Sequence, residues 1–128
     1  MKNQEKAQIS LQVIVDKEVR FESNGKWLYP LFDLEDFLKD HPLPMARALV
    51  RDKVIGKAAA LLLIRLEVGR VHGELMSELA IETLTQANVP YSYDQQVLRI
   101  ACQTEALLAE VDDPQQAYEI LCQRAGRC

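Results

Sequence analysis

The segment from Lys53 to Arg65 limits the fold more than any other part of the chain. Val54 and Ile55, followed by the unbroken apolar run Ala58–Ile64, leave it without a polar stripe. A helix lying on a protein surface keeps one face for water, so a helix apolar nearly all round belongs in a domain interior. Its alanines allow a neighbouring backbone to come close. The run is far below the roughly 20 residues that span a bilayer, so its burial is expected within protein, not lipid.

The rest of the chain supplies the covering elements. Ile9, Leu11, Val13 and Val15 alternate as in a strand, Asp16-Lys17-Glu18 reads as a turn, and Val19 to Ser23 forms the second arm of a hairpin. Asn24-Gly25 is a turn signal. Leu31, Leu34, Phe37 and Leu38 have helical spacing, with Pro30 tolerated in the first turn and the prolines after His41 as the stop. Ala46 to Arg51 reads as a short buried strand, with Asp52 as the N-cap of a helix from Lys53. Gly69 breaks the chain before a strand from Arg70 to Met76. Ser77 caps a helix from Glu78 to Ala87 that Asn88 stops, and Val89 to Tyr93 gives a short strand. Helical spacing resumes at Val97, and Asp113-Pro114-Gln115-Gln116 starts a last helix ending near Gly126. Strands alternating with helices predict a single α/β domain over residues 1–128, with a mixed sheet.

At 128 residues the chain buries roughly two-thirds of its unfolded surface and needs no metal or disulfide to fold. Its net charge of −4 and the absence of a basic run disfavour nucleic acid as a partner. The polar, mixed-charge start Met1–Gln8 is not a signal peptide, and with no membrane span the expected location is cytoplasmic. The three cysteines, Cys102, Cys122 and Cys128, are an odd number confined to the last quarter, which predicts reduced thiols and not a disulfide framework.

Three constellations are candidates for chemistry. In Arg51-Asp52-Lys53-Val54-Ile55-Gly56-Lys57 the two lysines share a helix face, and cations in a first turn oppose the helix dipole unless something anionic sits there. Free backbone N–H groups, Lys53, Lys57 and Arg51 would hold a phosphate or carboxylate; the alternative is that Lys57 extends outward and pairs with Asp52 or another acid. Gly56-Lys57 is not a P-loop, because Arg51 stands where the first glycine belongs and Ala58 where Ser or Thr should hold magnesium. His72-Gly73-Glu74 matches half of the zinc deaminase signature, but Cys102 is its one credible companion and a catalytic zinc wants three protein ligands. No metal or cofactor is therefore expected. Cys102 and Glu105, three apart, suit a thiol with a proton-shuttling carboxylate, yet a carboxylate raises a thiol pKa and no His accompanies the pair. A buried, inert cysteine is the other reading. Trp27 and Tyr29 either stack on a ligand ring or close the core.

The run Leu49-Val50-Arg51-Asp52-Lys53-Val54-Ile55-Gly56-Lys57-Ala58-Ala59-Ala60-Leu61-Leu62-Leu63 resembles the D-K-V-x-G-K-A-A-A-L-L hallmark of a small bacterial domain family of unknown function with a cytidine deaminase-like fold. Ser77-Glu78, Cys102-Gln103-Thr104-Glu105 in place of C-P-M-E, and Asp112-Asp113-Pro114 add to the match. The resemblance implies a three-layer α/β/α sandwich around a mixed sheet. It also implies that the zinc ligands are gone, because Asp52-Lys53-Val54-Ile55 stands where P-C-x-x-C would open a helix.

Two functions from different classes follow. One is a metal-free deaminase-fold protein binding a small anionic metabolite or nucleotide at the N-terminus of the helix starting at Lys53, through Arg51, Asp52, Lys53, Gly56 and Lys57. The other is a thiol- or lysine-dependent enzyme using Cys102 and Glu105, or Lys57. An assembly domain without a ligand is a third reading. A homodimer is expected on general grounds alone, as the commonest oligomer.

Overall fold

The computed structural model describes residues 9–100 and 103–127. Strand β1 (Leu11–Val15) buries Leu11, Val13 and Val15 and turns into β2 (Glu18–Ser23). Asp16 and Lys17 both take positive φ, 52° and 71°, as the tight two-residue turn matched to strand twist requires. Helix α1 (Tyr29–Asp40) follows, with Pro30 in its first turn, where no intrahelical N–H is lost. A 3₁₀ turn leads into β3 (Ala48–Ile55), then α2 (Lys57–Arg65), β4 (Arg70–Ser77), α3 (Glu78–Gln86), β5 (Tyr91–Val97), α4 (Gln103–Leu107) and α5 (Pro114–Ala125).

The five strands form one sheet in the order β2-β1-β3-β4-β5. β1 runs antiparallel to both its neighbours, whereas β3, β4 and β5 are parallel. The mixed sheet of an α/β domain is therefore as expected. Val13, Val50 and Val71 lie opposite one another in register and are fully buried. α2 packs against α1, α3, α4 and α5, and every residue from Lys57 to Leu63 is buried. This is the interior position that its composition demanded. The alternate sheet face carries Gln12, Arg51, His72 and Ser92, each half-buried or exposed. The helices of a sandwich would cover both faces; among the described residues the other four helices, α1, α3, α4 and α5, all pack against α2.

Two expected boundaries are corrected. The helix placed at Lys53 starts at Lys57, because Asp52, Val54 and Ile55 instead pair with Gly73, Leu75 and Met76 of β4. Asp52 is consequently a strand residue, and Gly56 is the N-cap. A short run such as Val54-Ile55 fits a strand as well as a helix, and periodicity does not separate the two; β-branching and a partner strand do. β5 likewise continues to Val97, paired with Ser77, where a helix was expected. The caps at Ser77 and Asp113 are as expected: their side chains accept hydrogen bonds from the amides of Ala80 (3.1 Å) and Gln116 (2.8 Å).

Candidate functional site

The C-terminal ends of β3 and β4 deliver two helix starts side by side, and Glu105 of α4 lies between them. Its Oε2 accepts hydrogen bonds from the Lys57 amide at 2.9 Å and the Ser77 hydroxyl at 2.5 Å. Oε1 accepts from the Ile100 amide at 2.9 Å. The carboxyl is nearly sealed from solvent, with Glu105 3% exposed. A helix N-terminus offers unsatisfied N–H groups and a positive dipole end; here the chain fills that place with its own carboxylate. Gly56 permits the approach, since a Cβ there would stand 3.1 Å from Glu105 Oε2 and 3.1 Å from Ile100 Cγ1.

Lys57 returns the contact. It is 4% exposed, and its Nζ donates to the Ala109 carbonyl at 3.2 Å and pairs with Asp112 at 3.0 Å. The ammonium is thus directed into the segment after α4, and the pairing with an acid is the arrangement found. Carboxylate from α4 to α2, and ammonium from α2 to the turn beyond α4, form a reciprocal clamp.

Beside the clamp lies a cavity of about 340 Å³. Trp27, Leu28, Pro30, Val54, Ala58, Ala59 and Ile100 supply its apolar walls; Ser10, Lys26, Asp52, Lys53, Thr104 and Glu105 supply polar groups. Of the residues singled out in the sequence, Trp27, Asp52, Lys53, Gly56 and Glu105 meet here. Arg51 belongs to a smaller polar hollow of about 220 Å³ that also includes Gln12, His72 and Glu74. Cys102 lies outside the described residues. Cys122 is disulfide-bonded, a correction to the expectation of reduced thiols.

For Trp27 the sequence leaves ligand stacking and core closure open; the residue is 41% exposed and forms part of the cavity wall. Its backbone has φ of 55°, a left-handed conformation that costs a bulky residue about 1 kcal/mol or more. The ring meets Tyr29 edge-on at 5.3 Å. An aromatic side chain held in such a conformation at a cavity is where function is expected to show.

Asp52 sits between Leu11 and Gly73 in the sheet. Burial pushes its pKa from 3.8 to about 7, against the Val54 and Lys53 amides that favour the carboxylate, with Glu74 adding to the rise. The unfolded carboxyl loses its proton near 3.8 and the folded one near 7, so this group makes stability fall as pH rises from about 4 to 7 and level off above. Taken at face value, a rise from 3.8 to about 7 is worth roughly 4 kcal/mol; solvent reaching the half-buried group reduces the expected effect to about 2 kcal/mol. Asp52→Asn is therefore expected to flatten this decline and to be more stable than the wild type by about that amount at pH 8. Urea unfolding from pH 4 to 8 checks it, and parallel curves for the two proteins would refute the assignment.

A profile of a domain of unknown function, DUF1893 (TM1506), matches residues 1–124. The chain belongs to the DUF1893 family. The crystal structure of a DUF1893 family protein (TM1506) from Thermotoga maritima is similar to this DUF1893 domain, with a TM-score of 0.82 and 27% sequence identity over 94% of this chain and 83% of that one. No curated protein matches this DUF1893 domain. Its described residues include no helix long and apolar enough to cross a membrane.

Proposed function

We propose that this DUF1893 domain binds a small anionic metabolite of the nucleotide class in the Trp27 cavity. The observation that carries the reading is the cavity itself: an aromatic wall and apolar sides around a half-buried carboxyl, at the end of a parallel strand. Ligands of open α/β sheets bind outside the carboxyl ends of the strands, and about 340 Å³ falls in the range of small-molecule pockets. A flat heterocycle stacks on Trp27 and packs on Ala58 and Ala59. Asp52, with a pKa of about 7, accepts or donates at the ring edge according to its protonation. The phosphate lies toward Lys26 and Lys53. Lys57 is not part of this ligand shell, because its amide and ammonium serve Glu105, Ala109 and Asp112.

The deaminase-like ancestry belongs to this proposal as well. The starts of α1 (Leu28-Tyr29-Pro30) and α2 (Gly56-Lys57-Ala58) offer neither imidazole nor thiolate, so the donor set does not fit zinc. What is retained in this view is the place of the pocket, not the metal chemistry.

Trp27 is the chain's single tryptophan, so its fluorescence reports on the cavity directly. Titration with the common nucleoside monophosphates is expected to change that emission, and stability should rise by about 2.7 kcal/mol at a ligand concentration near a hundred Kd. Val54 is 44% exposed and lines the cavity, so Val54→Tyr should fill the space and cancel the effect without unfolding the domain. Absence of both responses with every monophosphate and its nucleoside would sink the proposal.

A further inference from the structure

The two edges of the sheet are treated differently. β2 presents Glu18, Arg20 and Glu22 and pairs with β1 across a bulge at Val13/Ile14. Charges and bulges are how sheets block edge-to-edge pairing. β5, the opposite edge, pairs without a bulge and carries one charge, Asp94. It is Tyr-Ser-Tyr-Asp-Gln-Gln-Val, and Ser92 through Gln96 are exposed in an unbroken row, so among the described residues both faces of the strand are open as well as its outer side. Tyr93 is 39% and Leu98 67% exposed, and the Tyr91 and Tyr93 rings stack with centroids 6.5 Å apart. The lone charge of the strand, Asp94, lies 3.3 Å from His72 Nε2, while His72 Nδ1 meets Ser92 Oγ at 2.7 Å.

We infer that β5 is the interface with a second copy of this chain, the two β5 strands pairing antiparallel about a twofold axis. The chemistry of the edge favours a second copy over an unlike partner. The strand carries no charge pattern for a complementary protein to read. Its single carboxylate lies against His72 of its own sheet, so each copy brings one carboxylate to the edge with an imidazole beside it. The asymmetry of the edges also sets the number: one open edge closes the assembly at two, whereas two open edges would make filaments. A seven-residue ladder with Tyr93 and Leu98 beside it lies at the small end of specific interfaces, which predicts a Kd of about micromolar order.

Sedimentation velocity of the full chain from about 1 to 200 μM tests this, with a denaturing gel run without reductant to exclude covalent dimers. The wild type should shift from monomer to a species of twice 14.6 kDa. The double variant Gln95→Lys/Leu98→Lys should weaken the dimer at least tenfold, while Val19→Lys on β2 leaves it unchanged. Should the double variant fold poorly by circular dichroism, concentration-dependent protection of the wild-type β5 amides in hydrogen exchange reads the same interface. A wild type monomeric at 200 μM overturns the inference. So does a dimer indifferent to the β5 lysines, or one broken by Val19→Lys.

Discussion

Replacing Glu105 with alanine is expected to cost about 4 kcal/mol of folding stability and to lower the melting temperature by more than about 10 °C. Three donors lose their acceptor at once: the amides of Lys57 and Ile100 and the hydroxyl of Ser77. Glu105 and Ser77 are buried, so water does not readily replace the lost carboxylate, and an unsatisfied buried donor costs about 1–3 kcal/mol. Glu105→Gln should lose about 2 kcal/mol, because its one remaining carbonyl oxygen still accepts while its NH₂ faces a donor. Ser77→Ala removes one of the three bonds and also the cap of α3, and is expected to fall between the two. Urea unfolding of the three variants gives the ranking. A loss below about 1 kcal/mol for Glu105→Ala would mean that the clamp contributes little beyond placing α4.

Gly69→Ala should be nearly as damaging, at about 3 kcal/mol, for a different reason. A Cβ at this position would stand 2.2 Å from the Ala46 carbonyl oxygen and 2.8 Å from its carbon. The obstacle is backbone, tied down by the Gly69 amide donating to the Met45 carbonyl at 2.8 Å, so no side-chain rotation relieves it. Gly126 provides the contrast. It has φ of 70°, and a methyl group added there would meet nothing within 4 Å, so Gly126→Ala costs conformational strain alone, about 1 kcal/mol. Chemical denaturation of both variants distinguishes steric exclusion from strain; equal losses would contradict the close approach at Gly69.

The order of elements, the hairpin, the caps at Ser77 and Asp113 and the interior place of α2 were legible in the chain, because alternation, helical spacing and capping chemistry act within a few residues. The start of α2 was not. Val54-Ile55 suits either a strand or a helix, and the parallel ladder with Leu75 and Met76 decides for strand. That shift of four residues moves Asp52 from a cap into the sheet, and moves Lys57 from a second turn to the first helical position.

The candidate site divides along the same line. Asp52, Lys53 and Gly56 could be singled out because charge and glycine at a strand-to-helix junction are local signals, and all three line the cavity. The acceptance by Glu105 of the Lys57 amide joins residues 48 apart in the chain, and Trp27 reaches the cavity from a loop before α1. Local chemistry thus determined the order of helices and strands and which residue types gather at their ends, though not every boundary between them. Only the packed tertiary structure decided which carboxylate occupies the α2 N-terminus, and which edge of the sheet stays open, because both depend on distances between segments that no short-range pattern encodes.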